Sequence, residues 1–478
     1  MAVRTESPVV APAGRQDWPR AWWLLPPLAL AVLGGWLVAQ GYGFWYDELY
    51  TAEVAPLGLG RLLDAFVRGD GTIAYLRDAP PSYNFPYYVV AHLWLALTPF
   101  GADEVGLRLL SLMAMTGAVA VLTRAVARLA DRTTALVAGL VVATNPFVVA
   151  YAAEARGYAL AVLAVSITAL GLARWLDGQS LTLYGVGAAA AGLAHWFALL
   201  VPAALAVAAV LLRRRRAVPV VVVTAVAAVP ALAVVATALA NGVGASGAEW
   251  IRDVGLAVPR LAVRSWVAGS WLLLVPVVLA VVAGAVRGSR PARTVALCWA
   301  AVPVAAVTVA EQFRPVYVDR YLLPAMVALA VLTALGVAAC PRRWRPVAVA
   351  AVLVPSLIVT AGNVVRGPRE DVRGAVALVA AHHRAGEPVV AAARWDALGV
   401  EHYARRHPAL GRDLVLPPAP VPPAPTLWVV RRASGGVKGD VAKLGDLEAD
   451  LAARGMRVAE EHRLEGRRSV VVVQRWTG

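Results

Sequence analysis

Two cysteines among 478 residues, Cys298 and Cys340, leave no room for a disulfide framework; both sit in or at the edge of apolar runs and read as small core residues. Charged residues are also scarce. They make up 16% of the chain against 59% hydrophobic residues, with a mean hydropathy of +0.64, which excludes a string of soluble domains. No internal repeat, no cluster with metal-ligand spacing and no phosphate-binding glycine loop stands out. Neither a metal site, nor a bound cofactor, nor a soluble nucleotide-sugar donor is therefore expected. A cleavable signal peptide is not expected either, because the polar start, Met1 to Arg20, runs into a full-length apolar span without a small-residue cleavage site.

What is present is a series of Ala-, Val- and Leu-rich runs, each roughly 20 residues long, recurring from Ala21 to about Val365. They predict a polytopic α-helical membrane protein with about 11 spans, over 21–40, 106–128, 134–152, 157–175, 181–193, 196–212, 217–240, 264–286, 294–312, 320–339 and 346–365. The net charge of +15 does not point to nucleic acid, since the arginines gather between apolar runs. With residues 1–20 as a cytoplasmic tail, Arg124/Arg128/Arg132, Arg174, Arg213–Arg216, Arg287–Arg293 and Arg342–Arg345 all fall in cytoplasmic gaps, as the positive-inside rule requires. The stretch Leu181–Leu212 is short for two spans, with a turn expected near His195. The aromatic-rich stretch Asn84–Phe100 reads as an interfacial helix within one long external loop, 41–105.

Beyond Arg366 the apolar runs stop. Helices are expected over Asp371–Ala385, Asp396–Arg406 and Asp440–Arg454, and strands over Pro388–Ala393, Leu427–Arg431 and Ser469–Arg475, with a Pro-rich connector at Pro417–Pro425. These elements predict a small extracytoplasmic α/β domain over 366–478, after a membrane domain over 21–365.

The unusual polar residues collect on one side of this topology. Asp47 and Glu48 follow the first span in Gly41-Tyr-Gly-Phe-Trp-Tyr-Asp-Glu-Leu-Tyr50. Adjacent acids at a bilayer edge are costly to desolvate and call for a purpose. They cannot both point the same way on a helix, so one is the candidate reacting base and the other orients it or holds structure. The competing role is a helix cap, with Asp47 ahead of a short helix beginning near Glu48. Asp78 precedes Ala79-Pro80-Pro81, a rigid segment, and serves either as a turn or as a substrate contact. Arg108, Glu154, Arg156, Tyr158, His195, Arg320 and Tyr321 complete the candidates; the arginines suit an anionic headgroup or a phosphate, or else pair or snorkel locally.

In order along the chain stand Trp45-Tyr-Asp-Glu48, Asp78-Ala-Pro-Pro81, Gly106-Leu-Arg-Leu-Leu-Ser111, Asn145-Pro-Phe147 with Glu154-Ala-Arg-Gly-Tyr-Ala-Leu160, and Arg320-Tyr-Leu-Leu-Pro324. Together, over about residues 20–340, they resemble the GT-C superfamily of integral membrane glycosyltransferases. The branch is the family 39-like bacterial proteins, related to protein O-mannosyltransferases and the lipid A aminoarabinose transferase. The resemblance implies a polyprenyl-phosphate sugar donor and transfer outside the cytoplasmic membrane to a lipid, glycan or protein acceptor. It implies Asp47 as base with Glu48 beside it, Arg108 opening the second span, and Arg156 and Arg320-Tyr321 meeting lipid phosphate or sugar. Ala79 stands where aminoarabinose transferases carry a basic residue, which leaves the acceptor open. Two other functions fit a polytopic chain: a lipid-linked-sugar flippase, which needs polar groups near mid-membrane, and a scaffold with an external binding domain.

Overall fold

The computed structural model describes residues 21–242, 251–433 and 438–478; the expected cytoplasmic tail, 1–20, lies outside them. Its helices in the first half are α1 (Leu25–Ala39), α2 (Tyr46–Val54), α3 (Leu59–Arg68), α4 (Phe85–Leu97), α5 (Glu104–Leu129), α6 (Arg132–Thr144), α7 (Pro146–Ala152), α8 (Tyr158–Leu176), α9 (Thr182–Ala194) and α10 (Leu200–Arg213). There follow α11 (Val218–Ala240), α12 (Val258–Trp266), α13 (Trp271–Arg287), α14 (Arg290–Glu311), α15 (Leu323–Ala339) and α16 (Arg345–Val365).

Among the described residues, 7 helices are long and apolar enough to cross a membrane, and 9 spans result when each sharply bent pair counts as one. The bend of 65° between α6 and α7 falls at Asn145-Pro146. Pro146 supplies no N–H there, and the Asn145 side chain caps the new helix by accepting from the backbone N–H of Phe147 and Val148. The 45-residue apolar run Trp196–Ala240 is two legs, not one helix. Tyr184 Oη lies 2.9 Å from the carbonyl oxygen of Pro202 and 2.7 Å from Thr224 Oγ1. A straight helix would hold those two residues about 33 Å apart. The chain reverses at the arginine tetrad, where Arg214 takes a φ of 47°. With α9 as a short further leg, the predicted order of about 11 spans is present. Close crossings need glycine: a Cβ on Gly336 of α15 would overlap the carbonyl oxygen of Ala280 on α13, and one on Gly284 would overlap that of Leu332.

The C-terminal region carries α17 (Val372–His382), β1 (Val389–Ala391), α18 (Arg394–Ala404), α19 (Pro408–Arg412), β2 (Leu414–Val415), β3 (Thr426–Arg432), α20 (Lys438–Ala453), β4 (Arg457–Glu465) and β5 (Val470–Thr477). The strands form one sheet in the order β2-β1-β3-β5-β4, parallel between β2, β1 and β3 and antiparallel from β3 onward. Both faces of β3 are buried. Trp428 and Val430 join α17, α18 and residues of the 41–105 loop, including Leu49, Tyr50 and Leu76, while Leu427 and Val429 pack with Leu451 of α20. The loop and the sheet thus share a core, which fixes the C-terminal region over one end of the helix bundle.

Candidate active site

That end of the bundle is where the candidate residues meet. Helix α2 begins at Tyr46, so Asp47 and Glu48 stand about 100° apart around its axis. Glu48 turns inward and is 2% exposed. Its Oε1 accepts from Arg108 Nε at 2.8 Å and from the Ala155 N–H at 2.9 Å; its Oε2 accepts from Arg108 Nη2 at 2.6 Å and from the Trp45 N–H at 3.4 Å. Arg108 spends its other donors on the carbonyl oxygens of Tyr42 and Gly43, at 2.6 and 3.1 Å. The helix cap predicted as one role for Asp47 belongs to Glu48, the third residue of the helix, which reaches back to the N-cap backbone.

Asp47 turns the other way. Its Oδ2 lies 3.3 Å from Arg320 Nη2, and its side chain keeps 15% exposure. Arg320 is held in turn by Tyr158 Oη, 2.8 Å from Nε, and its N–H donates to Asp319 Oδ1 at 2.8 Å. Arg156 donates through Nη1 to the Asp47 carbonyl oxygen at 3.4 Å and to Tyr88 Oη at 3.2 Å. Behind Arg320, the His195 ring packs on Tyr321 and Tyr158 at centroid distances of 4.9 and 5.3 Å. The turn expected near His195 is present, between α9 and the 3-10 segment Trp196–Leu199.

A cavity of about 880 Å³ opens beside this cluster. Trp45, Glu48, Arg108, Glu154 and Arg320 line it; Asp47, paired to Arg320, and Arg156 are not among the lining residues. The lining carries seven arginines and four carboxylates, a surplus of positive charge suited to an anion. Asp78 is elsewhere. It pairs with Arg394 at 2.6 Å on a second cavity, of about 610 Å³, between the 41–105 loop and the C-terminal region. Among the described residues no group of three or more His, Cys, Asp or Glu could hold a metal ion.

Three contributors escaped the sequence reading, and all come from the C-terminal region. Arg369 Nη1 binds Glu154 Oε2 at 2.7 Å, with its guanidinium 3.6 Å from the Trp45 ring centre. Glu154 is buried with Oε1 unpartnered, and burial, opposed by Arg369, pushes its carboxyl up to about 7. Arg467 and Arg468, in the turn between β4 and β5, reach the same cavity. A signal for the first was available: Arg366, Arg369 and Arg373 follow an odd-numbered span, where the positive-inside rule expects few arginines.

Neither a family model nor a curated protein sequence matches this chain. Solved structures do. ArnT from Cupriavidus metallidurans in the apo state matches with a TM-score of 0.55 at 16% identity, over 94% of this chain and 97% of ArnT. The same protein bound to undecaprenyl phosphate matches with 0.55, over 95% and 98%. The chain has the GT-C fold. The archaeal oligosaccharyltransferase AglB from Archaeoglobus fulgidus, in complex with an inhibitory peptide and a dolichol-phosphate, matches with 0.54 at 13% identity, over 83% of this chain and 64% of AglB. The GT-C likeness to ArnT extends through the C-terminal α/β region, since nearly the whole of both chains is aligned.

Proposed function

We propose that this protein is a glycosyltransferase that moves a sugar, a hexose such as mannose, from a polyprenyl-phosphate donor to an acceptor at the outer face of the cytoplasmic membrane. The observation that carries the reading is the Asp47–Arg320 pair beside an arginine-rich cavity at one end of an apolar helix bundle. The acceptor hydroxyl loses its proton to Asp47 as it attacks the anomeric carbon, and the lipid phosphate leaves with growing negative charge. Arg320 and Arg369 would stabilise that charge at a low-dielectric boundary, where a guanidinium acts far more strongly than in bulk water. Attack assisted by Asp47 on one face of the anomeric carbon, with the lipid phosphate leaving from the other, would invert its configuration. Tyr158 holds Arg320, Arg108 holds Glu48, and Tyr321 with His195 would back Arg320 from behind as it meets the donor. The domain division follows the same reading: 21–365 for donor and chemistry, 366–478 as an outer α/β domain over the site.

A flippase would be served by ionic groups near mid-depth of the spans. Here the pairs Glu48–Arg108, Asp47–Arg320 and Glu154–Arg369 all sit at one end, which favours transfer over transport. A scaffold would explain the sheet but not these pairs. The donor class is tested in vesicles containing the protein and envelope acceptors, supplied in parallel with polyprenyl-phosphate mannose and with GDP-mannose. Label should leave the lipid donor only. Transfer that needs the nucleotide sugar and ignores the lipid donor would overturn the reading.

A further inference from the structure

The turn between β4 and β5 is clamped onto the start of the C-terminal region and, through Arg468, onto the membrane bundle. The Arg467 N–H donates to the Pro368 carbonyl oxygen at 2.9 Å and the Arg468 N–H to that of Arg369 at 3.1 Å. Gly466 packs so tightly there that a Cβ would lie 2.5 Å from the Arg369 carbonyl oxygen. Arg468 Nη2 binds Asp319 Oδ2 at 3.2 Å, while the other oxygen of Asp319 accepts from the Arg320 N–H. The turn is thereby tied to the backbone that presents Arg320.

Its two arginines do different things. Arg468 is consumed by the clamp, whereas Arg467 is exposed on the cavity and has no carboxylate partner among the described residues. Arg264 and Arg366, on the same cavity, are likewise without a carboxylate. Arg320 and Arg369 already hold Asp47 and Glu154. Like charges brought together at the mouth of one cavity repel unless an anion sits among them.

We propose that Arg467 is a direct ligand of the donor's phosphate, positioned by the Arg468–Asp319 clamp, so that the C-terminal region builds the outer wall of the donor site. This rests on the donor class proposed above. The ligand chemistry is a phosphate ester on a long apolar chain, and the sources to be told apart are a polyprenyl phosphate, a bulk phospholipid headgroup and free phosphate.

The test is binding of undecaprenyl phosphate and of uncharged undecaprenol to the full chain in nanodiscs, for wild type, Arg467→Gln, Arg468→Gln and the control Arg457→Gln on the exposed edge strand. Loss of one charge-assisted contact should weaken phosphate binding by roughly tenfold or more in Arg467→Gln and leave undecaprenol binding unchanged. Arg468→Gln should narrow the same phosphate-over-alcohol preference, which a merely structural role would not touch, and Arg457→Gln should match wild type. Wild-type affinity in Arg467→Gln, or an equal loss for the alcohol, overturns the assignment. So does full competition by inorganic phosphate or by phosphatidylglycerol at matched concentration. Because the readout is binding, a wild-type protein that binds undecaprenyl phosphate yet never transfers sugar would overturn the transferase reading and leave this site standing.

Discussion

Asp47 and Glu48 are neighbours with opposite duties, and their substitution should separate stability from function. Glu48 is sealed against Arg108 and two backbone N–H groups. Removing it leaves a buried guanidinium without its counter-charge, so Glu48→Ala should cost about 3–5 kcal/mol, read as a large drop in thermal midpoint in detergent. Asp47, partly exposed and 3.3 Å from Arg320, carries far less of the fold. Glu154 adds a pH signature. Its carboxyl rises from 4.5 to about 7, so between those values the folded protein holds more protons than the unfolded chain. Stability from this group is full below about pH 4.5 and falls as pH rises toward 7. Thermal melts should show that decline in wild type and its removal in Glu154→Gln; an unchanged profile would show that Glu154 is not its source. The sequence made the acid pair conspicuous because two carboxylates beside an apolar run need a reason. It could not say which acid does what, since that depends on which side of the helix meets Arg108 and the Ala155 N–H, far along the chain.

At the scale of elements, the spans were legible because hydrophobicity over 20 residues is a strong signal; the break at Asn145-Pro146 was not, since the expected span 134–152 runs straight through it, although two local rules agree there. Arg213–Arg216 marked the reversal between α10 and α11. Strand β4 was not found. Seven of its first seven residues are exposed, so it lacks the alternation that betrays a half-buried strand, and its charges instead protect a sheet edge. The close α13–α15 crossing was also hidden, because a glycine in an apolar run looks the same whether it faces lipid or a neighbouring backbone. Gly336→Leu should push the Ala280 carbonyl away and destabilise the bundle by about 1–3 kcal/mol or more. Gly35, which has open space around its Cβ position, should accept leucine with little change in melting temperature.

For the whole molecule, the decisive property is that the chain's scattered acids and guanidiniums converge at one end. Arg128 meets Asp177, and Arg213 meets the Leu176 carbonyl, at the far end of α8, the helix whose first residue, Tyr158, meets Arg320. Parity counting anticipated this separation, but not the contribution of Arg369 and Arg467, which required knowing that the C-terminal sheet shares its core with the 41–105 loop. In a variant lacking Cys298 and Cys340, single cysteines at Asp70 and Arg412 should react with an impermeant thiol reagent in intact cells, and one at Arg215 only after permeabilisation. Labelling of Asp70 and Arg215 from the same side would break the topology on which the site depends. The most direct measurement remains turnover. Wild type and Asp47→Asn, matched for thermal midpoint in nanodiscs, are given polyprenyl-phosphate hexose and envelope acceptors, and release of polyprenyl phosphate is followed. Loss of a general base predicts a fall of roughly 10²–10⁴ in the variant, whereas release at the wild-type rate would contradict the account.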